Sequence, residues 1–91
     1  MSIKVYYSSV SSCQKMKKHQ QHIFDVLTAK KINYEAVDIA RDVKFKDLMR
    51  ELAGNNTALP PQICNGNNYC GDYKAFENAI EEEALESFLK L

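Results

Sequence analysis

The chain of 91 residues contains no tryptophan, only two prolines and three glycines, and no apolar run long enough to cross a membrane. Lys4 interrupts the N-terminal apolar stretch, so we expect no signal peptide. Three cysteines are too few, and odd in number, for a secreted scaffold held by disulfides, so reduced thiols are expected. These absences predict a soluble protein of the cytoplasm and leave its access to the nucleus open.

The chain also lacks a net charge, because twelve basic residues balance twelve acidic ones. Residues 1–50 hold ten basic and five acidic residues, whereas residues 51–91 hold two and seven. We expect solvated faces of ordinary helices to account for this asymmetry, and the alternative is a pair of opposed surface fields that orient a partner. No aromatic residue interrupts the lysines of residues 15–18. With no net positive charge, the composition predicts that the protein does not bind nucleic acid.

The first half of the chain predicts strand, helix, strand and helix. "IKVYYSS" has the β-branched and aromatic content of a buried strand, and Ser11 or Ser12 is the expected cap of a helix that runs to about Lys30. "NYEAVDI" predicts a second strand. Apolar residues at helical spacing predict a second helix that Asp42 caps and Gly54 ends. The two strands should pair in parallel through a right-handed crossover.

The second half predicts a hairpin and a helix. In "PPQICNGNNYCGDY", two short apolar segments flank Asn65-Gly66, which predicts a two-residue turn at that pair. Asp72 is the expected cap of the next helix, and residues 82–91 either continue it or form a separate turn. The order predicts one α/β domain over residues 1–91, with a four-stranded mixed sheet and helices on both faces.

This order, with a proline-led hairpin, resembles the thioredoxin fold in its short, glutaredoxin-like form over the whole chain. Five separated motifs, "KKHQQ", "MRELAGN", "LPPQI", "YCGDY" and "FLKL", look like the SH3-domain-binding glutamic-acid-rich-like family. The resemblance implies a small cytosolic protein that has lost the active-site cysteines and acts as a modulator or interaction module. It also places Pro61 at the cis-proline that faces the active site of the superfamily.

The chemistry of the first helix is that of a single thiol. In "CQKM", Met16 stands where a dithiol enzyme has its second cysteine, and a thioether cannot form a disulfide. By the match, Ser11 or Ser12 occupies the nucleophile's place and Cys13 follows it. Cys13 in the first turn of a helix, with Lys15 nearby, has the setting of a reactive thiol. The alternative function is therefore a weak monothiol, glutathione-dependent oxidoreductase that uses Cys13.

The segment that would hold glutathione departs from the glutaredoxin pattern. By the match, Pro60 stands where a residue pairs with the cysteinyl backbone of glutathione, and proline has no N–H to donate. The glutaredoxin Gly-Gly pair is here Cys70-Gly71, and the Cys70 side chain should crowd the approach. We expect no cofactor, with glutathione disfavoured, and a groove that contacts a protein instead. The candidate groove residues are Ser11, Ser12, Cys13, Leu59, Pro60, Pro61, Gly71 and Asp72.

The remaining candidate residues predict no further site. A turn at Asn65-Gly66 places Cys64 opposite Asn67 and sends Cys70 to the other face, which predicts two separate thiols without metal-ligand spacing. His19 and His22 are expected to be solvated helix residues rather than ligands. An SH3 domain is not an expected partner, because the two adjacent prolines do not form Pro-x-x-Pro. We expect a monomer that binds an unidentified protein and has no catalytic activity.

Overall fold

The computed structural model describes residues 2–91, which form a four-stranded sheet in the order β2-β1-β3-β4. The first two strands are parallel, and the other neighbouring pairs are antiparallel. The strands are β1 (Ile3–Tyr7), β2 (Tyr34–Asp38), β3 (Gln62–Asn65) and β4 (Asn68–Asp72). The helices are α1 (Gln14–Ala29), α2 (Val43–Ala53), α3 (Tyr73–Glu81) and α4 (Leu85–Phe88). The predicted mixed sheet and its element order are confirmed.

Three of the predicted helix ends are confirmed. The Asp42 carboxylate accepts a hydrogen bond of 2.9 Å from the Lys44 amide at the start of α2. Gly54 ends that helix in the left-handed region, with φ of 67°. The Asp72 carboxylate accepts a 3.0 Å bond from the Ala75 amide at the start of α3. These side chains satisfy amide groups that would otherwise lack an intrahelical partner.

The predicted start of α1 is wrong by one or two residues. Cys13 occupies the cap position, with extended backbone angles and no hydrogen bond from its side chain to the helix. The Ser11 hydroxyl instead accepts a 3.2 Å bond from the Cys13 amide, which closes a short turn before the helix. Neither Ser11 nor Ser12 caps α1, because the backbone turns once more before it becomes helical.

The hairpin turn is also displaced by one residue from its predicted place. Asn65 pairs with Asn68, so the two turn residues are Gly66 and Asn67 rather than Asn65 and Gly66. Gly66 has φ of 60°, an angle that glycine adopts without steric cost. The turn therefore begins at the residue best able to take a positive φ.

Asn65 stays in the strand because its side chain is held by the C-terminus. The residue is 2 % exposed, and its amide donates to the carbonyl oxygens of Leu89 at 3.0 Å and Lys90 at 3.2 Å. These bonds join positions 24 and 25 residues apart, so no local sequence pattern predicts them. The long-range contact decides the register of the hairpin.

The new register moves the two hairpin cysteines. Cys64 lies opposite Tyr69 instead of Asn67, and a register shift between Ile63 and Cys64 leaves Cys70 as an extra residue in β4. Cys64 belongs to the core on one face of the sheet, whereas Cys70 packs against the core on the other face. The prediction that the two thiols face opposite sides is confirmed with a different pairing.

Helices cover both faces of the sheet, as predicted, but unequally. The face under α1, α3 and α4 carries the larger cluster, which is made of Ile3, Val5, Ile23, Leu27, Ile63, Phe76, Leu85 and Leu89. The face under α2 carries the smaller cluster, which is made of Tyr6, Ile39, Met49 and Cys64. The apolar stripe of α2 is only partly buried, since Phe45 and Leu48 are 39 % and 38 % exposed.

The C-terminal residues form a separate helix, which settles the alternative that the sequence left open. Glu83 has φ of 54°, an angle that ends α3 and lets the chain turn before α4. Leu85 and Leu89 then enter the larger cluster. Within residues 2–91, no helix has both the length and the apolar character needed to traverse a bilayer.

Gly71 is fixed by the close approach of α4. A methyl group at this position would lie 2.9 Å from the Ala75 Cβ and 2.9 Å from the Phe88 Cε1, and the residue has φ of 154°. Both the space and the backbone angle exclude a side chain. Glycine at this position therefore serves the packing of α4 onto the hairpin.

Candidate functional site

The segments that carry the candidate residues leave the sheet at one end. The parallel strands β1 and β2 end there at Tyr7 and Asp38, and Gln62 starts the antiparallel strand β3 beside them. Gln62 pairs with Tyr6 on one side and with Asp72 on the other. The β1–α1 loop, the segment before β3 and the start of α3 consequently emerge at the same end of the sheet.

A cleft of about 610 Å³ opens at this end, between the starts of α1 and α3 and residues 55–62. We call it the proline cleft, because Pro60 and Pro61 line it. Leu59 and Asp72 line it as well, so four of the eight candidate groove residues share this cavity. The other four, which do not line it, are Ser11, Ser12, Cys13 and Gly71.

Three consecutive residues of the cleft differ in exposure. The Leu59 side chain is 61 % exposed, Pro60 is half-buried and Pro61 is buried. The Pro60–Pro61 peptide bond is cis, in agreement with the resemblance. The segment thus presents one aliphatic side chain to solvent beside a residue that has no N–H.

Partly buried hydrogen bonds hold the Leu59 segment in place. The Gln62 side-chain amide donates to the Leu59 carbonyl at 2.8 Å, and the Tyr69 hydroxyl donates to the Gln62 Oε1 at 2.6 Å. Burial raises the pKa of Tyr69, so its hydroxyl keeps the proton that it donates. Arg50 of α2 donates to the Ala58 carbonyl at 3.1 Å. The exposed Leu59 is therefore displayed on a braced loop, a feature that the sequence analysis missed.

The β1–α1 loop is anchored separately. The buried Gln20 side chain accepts from the Ser8 amide at 3.0 Å and donates to the Ser8 carbonyl at 3.2 Å. Asp38 accepts from the amides of Ser9 and Ala40. Burial opposes ionisation of Asp38, but the hydrogen bonds from Ser9 and Ala40 and the nearby Arg41 charge lower its pKa overall. Gln20 is part of the "KKHQQ" motif, and its role in that motif is to fix this loop.

The three cysteines are free and lie in different environments. Cys13 is exposed, Cys64 is buried and Cys70 is half-buried. Burial, aided by the neighbouring Cys70, raises the pKa of the Cys64 thiol to about 11. Burial also raises the pKa of Cys70. Cys70 packs against the larger cluster and does not line the proline cleft, so the expectation that it crowds the approach is wrong.

The two histidines of α1, half-buried His19 and exposed His22, both contact a tyrosine of α3. The His19 ring stacks on the Tyr73 ring, with centroids 3.8 Å apart and planes 8° apart. His22 Nδ1 and the Tyr73 hydroxyl form a 2.7 Å hydrogen bond. His19 and Tyr73 both line the proline cleft. No cluster of three or more metal-binding side chains occurs in the described part of the chain.

Comparison with known families and proteins gives a match over the whole chain. The model of the family described as SH3-binding, glutamic acid-rich protein matches residues 1–91. The SH3 domain-binding glutamic acid-rich protein homolog of Drosophila melanogaster is 41 % identical over 103 residues, which include 100 % of this chain. The chain spans 65 % of the length of that relative.

Solved structures give the same fold. The C. albicans actin interacting protein Aip5 superposes with a TM-score of 0.80 at 22 % identity, over 97 % of this chain and 87 % of that one. The buckwheat glutaredoxin–glutathione complex gives a TM-score of 0.69 at 10 % identity, over 97 % of this chain and 76 % of that one. The predicted glutaredoxin-like form of the thioredoxin fold is confirmed.

Proposed function

The chain belongs to the SH3-binding, glutamic acid-rich protein family, and on this premise we propose that it is a non-catalytic module that binds a partner protein through the proline cleft. The braced Leu59 segment is the observation that carries the proposal. An exposed aliphatic side chain on a fixed loop loses little conformational entropy when it is buried by a partner. Buried aliphatic and aromatic anchors supply much of the affinity of protein interfaces.

The same segment is poorly suited to glutathione. Pro60 has no N–H for the peptide backbone of that ligand, so the paired hydrogen bonds that glutaredoxins use are incomplete. If the glutathione carbonyl that faces Pro60 were buried without a hydrogen bond, the binding free energy would be less favourable by about 1 to 3 kcal/mol. This loss supports a module that works without a cofactor.

The thiols support the same proposal. Met16 takes the place of a resolving cysteine. Cys64 and Cys70 pack in clusters on opposite faces of the sheet. Cys64 is protonated at neutral pH, because its pKa is about 11. The exposed Cys13 at the start of α1 favours one alternative, a weak monothiol oxidoreductase that depends on glutathione.

The partner that we propose is a protein other than an SH3 domain. The name of the Drosophila relative describes SH3-domain binding, but this chain has two adjacent prolines and no Pro-x-x-Pro. Pro61 is buried at the start of β3, so the segment is not free to lie in an SH3 groove as an extended helix. We further propose a monomer that acts in the cytoplasm.

Two measurements test the proposal. In a glutathione-coupled disulfide reduction assay, we expect no turnover above the background reaction, whereas turnover that disappears in Cys13→Ala would establish the alternative.

Proteins captured from a lysate by the wild type should be lost with Leu59→Asp. The matched control is Val43→Asp on α2, because Val43 is 62 % exposed, as Leu59 is 61 % exposed, and it does not line the cleft. Equal capture by both variants would rule out the cleft as the binding surface.

A further inference from the structure

The strand β2 forms one free edge of the sheet, where some backbone groups have no partner. Just after the strand, the Ile39 amide donates to the Tyr7 carbonyl of β1 at 2.8 Å. Successive residues of a strand direct their backbone groups to opposite sides, so Tyr34 and Ala36, at odd distances from Ile39, face the free edge. No loop or helix within residues 2–91 forms a backbone hydrogen bond with these two residues.

The other edge of the sheet, formed by β4, is irregular. A register shift between Ile63 and Cys64 leaves Cys70 as an extra residue there, and Gly71 lies against Phe88 of α4. Bulges interrupt the row of backbone groups that an added strand needs. The strand β2 has a continuous register with β1 and contains no proline, so it is the edge suited to a further strand.

A groove of about 350 Å³ lies beside this edge, between β1, β2 and α2. We call it the β2 groove, because Ala36 and Val37 of that strand line it. Phe45 and Leu48 of α2 form its apolar wall and are partly exposed. Its charged side chains are two of each sign, namely Lys4, Arg41, Glu35 and Asp38. Because these charges balance, apolar contact and hydrogen bonding define what fits the groove.

The buried Tyr6 gives the β2 groove a hydrogen-bond donor. Tyr6 lines the groove but is only 2 % exposed, and its hydroxyl has no hydrogen-bond partner among residues 2–91. The hydroxyl is not fully enclosed, since within the described chain only Asn65 Oδ1 is an enclosed side-chain atom without a partner. Burial, and then the proximity of Cys64 and Glu35, raises the pKa of Tyr6, so the hydroxyl keeps its proton. An oxygen atom of an occupant would satisfy this donor.

We propose that an extended segment of another protein adds to the edge of β2 and places a threonine-like side chain in the β2 groove. The segment would pair with the free backbone groups of Tyr34 and Ala36. Its alternate side chains point into the groove, where a methyl group meets Phe45 and an oxygen accepts from Tyr6. The β2 groove and the proline cleft share no lining residue, so the inference goes beyond the proposed function.

A second copy of this chain suits the edge less well than a different segment. A symmetric antiparallel pair of β2 strands centred on Glu35 would set two carboxylates against each other. A pair centred on Ala36 or Val37 would include Asp38 of each copy. The Asp38 carbonyl already accepts from the Arg41 amide at 3.2 Å, so it is not free to pair.

Amide hydrogen exchange of the full chain tests the strand pairing. The probe is a synthetic peptide in which valine and threonine alternate between terminal lysines. With the peptide in excess, we expect exchange at the Tyr34 and Ala36 amides to slow at least about tenfold, because both become hydrogen-bonded. The Val37 amide, which faces β1, should change less. Unchanged exchange at Tyr34 and Ala36 would overturn the inference.

N-methylated peptides separate backbone pairing from side-chain contact. One peptide is methylated on every valine nitrogen and the other on every threonine nitrogen. A strand offers only alternate amides to its neighbour, so one of the two should bind like the parent and the other at least about tenfold more weakly. Equal affinities of the two methylated peptides would contradict strand addition.

A double-mutant cycle tests the contact with Tyr6. Tyr6→Phe should bind the parent peptide about three- to tenfold more weakly than the wild type does. A peptide with valine at every threonine position should bind both proteins alike, because the accepting oxygen is gone. Tyr73→Phe, which removes a hydroxyl outside the groove, is the matched control. Equal losses with both peptides would show that no side-chain oxygen meets Tyr6 and would overturn the inference.

Two other outcomes identify a different occupant or a different site. Slow exchange at Tyr34 and Ala36 without peptide, increasing with protein concentration, would identify a second copy. Peptide-induced shifts of amide signals at residues 58–62 instead of 34–48 would place the peptide in the proline cleft. Either result overturns the inference, whereas protein capture by the wild type against Leu59→Asp decides the proposed function separately.

Discussion

The two faces of the sheet differ in how much of the buried core they carry. Eight buried residues form the cluster under α1, α3 and α4, and four form the cluster under α2, so the first face holds most of the core. The α2 helix packs on β3 and β4. A groove of about 350 Å³, partly walled by Phe45 and Leu48, remains open over β1 and β2. The thinner face leaves more of its apolar surface exposed.

The braces of the proline cleft belong to this thinner face. Arg50 comes from α2, and Tyr69, which bonds Gln62, packs against the smaller cluster. None of the hydrogen bonds that hold the Leu59 loop involves a residue of the larger cluster. The comparison teaches that the Leu59 loop is held by a few specific hydrogen bonds, whereas the domain is held by extensive apolar burial.

The largest expected effect comes from shortening a side chain in the larger cluster. Phe76 is fully buried, so Phe76→Ala should lower the free energy of unfolding by about 3 to 5 kcal/mol. Met49→Ala in the smaller cluster should cost about 2 to 3 kcal/mol, because only four buried residues make up that cluster and Met49 packs in a thinner core. Urea unfolding of both variants measures the difference. A larger loss for Met49→Ala would reverse the comparison of the two faces.

A methyl group added between the hairpin and α4 gives the next effect. Gly71→Ala should cost about 1 to 3 kcal/mol, because the new Cβ meets Phe88 and Ala75 at a backbone angle that alanine rarely adopts. Gly54→Ala is the control, since Gly54 also has a positive φ but no atom within 4 Å of the added Cβ. Thermal unfolding should show the smaller loss for Gly54→Ala. Equal losses would mean that backbone strain alone acts at both positions.

Removing the brace of the cleft should affect the loop more than the domain. Gln62→Leu leaves the Leu59 carbonyl and the Tyr69 hydroxyl without their bonds, at a cost of about 1 to 2 kcal/mol. Hydrogen exchange at residues 57–60 should become faster, while exchange in α1 changes only with global stability. Gln20→Leu, which frees the β1–α1 loop instead, is the matched control. Unchanged exchange at residues 57–60 in Gln62→Leu would show that the bonds to Gln62 do not hold the Leu59 loop.

The smallest effect is a dependence of stability on pH through Asp38. Because folding lowers the pKa of Asp38 from 3.8, its contribution is present above the unfolded pKa and is lost as the pH falls through the folded pKa. Asp38→Asn should therefore lose less stability than the wild type on acidification from about pH 5 to about pH 2. Urea midpoints measured across this range test the difference. Parallel curves for the two proteins would show that Asp38 does not contribute.

The sequence was sufficient where the deciding interactions are local. The first two strands follow from β-branched and aromatic runs, and Asp42, Gly54 and Asp72 act within a few residues of their own helix ends. The motifs around Pro61 also identified the segment that forms one wall of the cleft. Such features depend on contacts that a short window of sequence contains.

Most of the wrong predictions concern positions whose conformation is determined by residues distant in the sequence. Asn65 bonds to the C-terminal residues and displaces the turn. The start of α1 is a local exception, because the Ser11 hydroxyl bonds to the Cys13 amide only two residues away. Gln20 and Gln62 hold loops through backbone carbonyls, which carry no side-chain signature in a sequence. Tyr73 of α3 contacts both histidines of α1, although it lies 51 residues after His22 in the sequence. The contacts of Gln20, Asn65 and Tyr73 exist only once the fold brings distant segments together.

The most direct test of the central claim is a titration of the labelled protein with reduced glutathione, followed by its backbone amide signals. We predict no saturable shift at residues 59–72 with millimolar ligand, because Pro60 lacks the N–H that the tripeptide requires. Saturable shifts at the residues of the proline cleft would contradict the account.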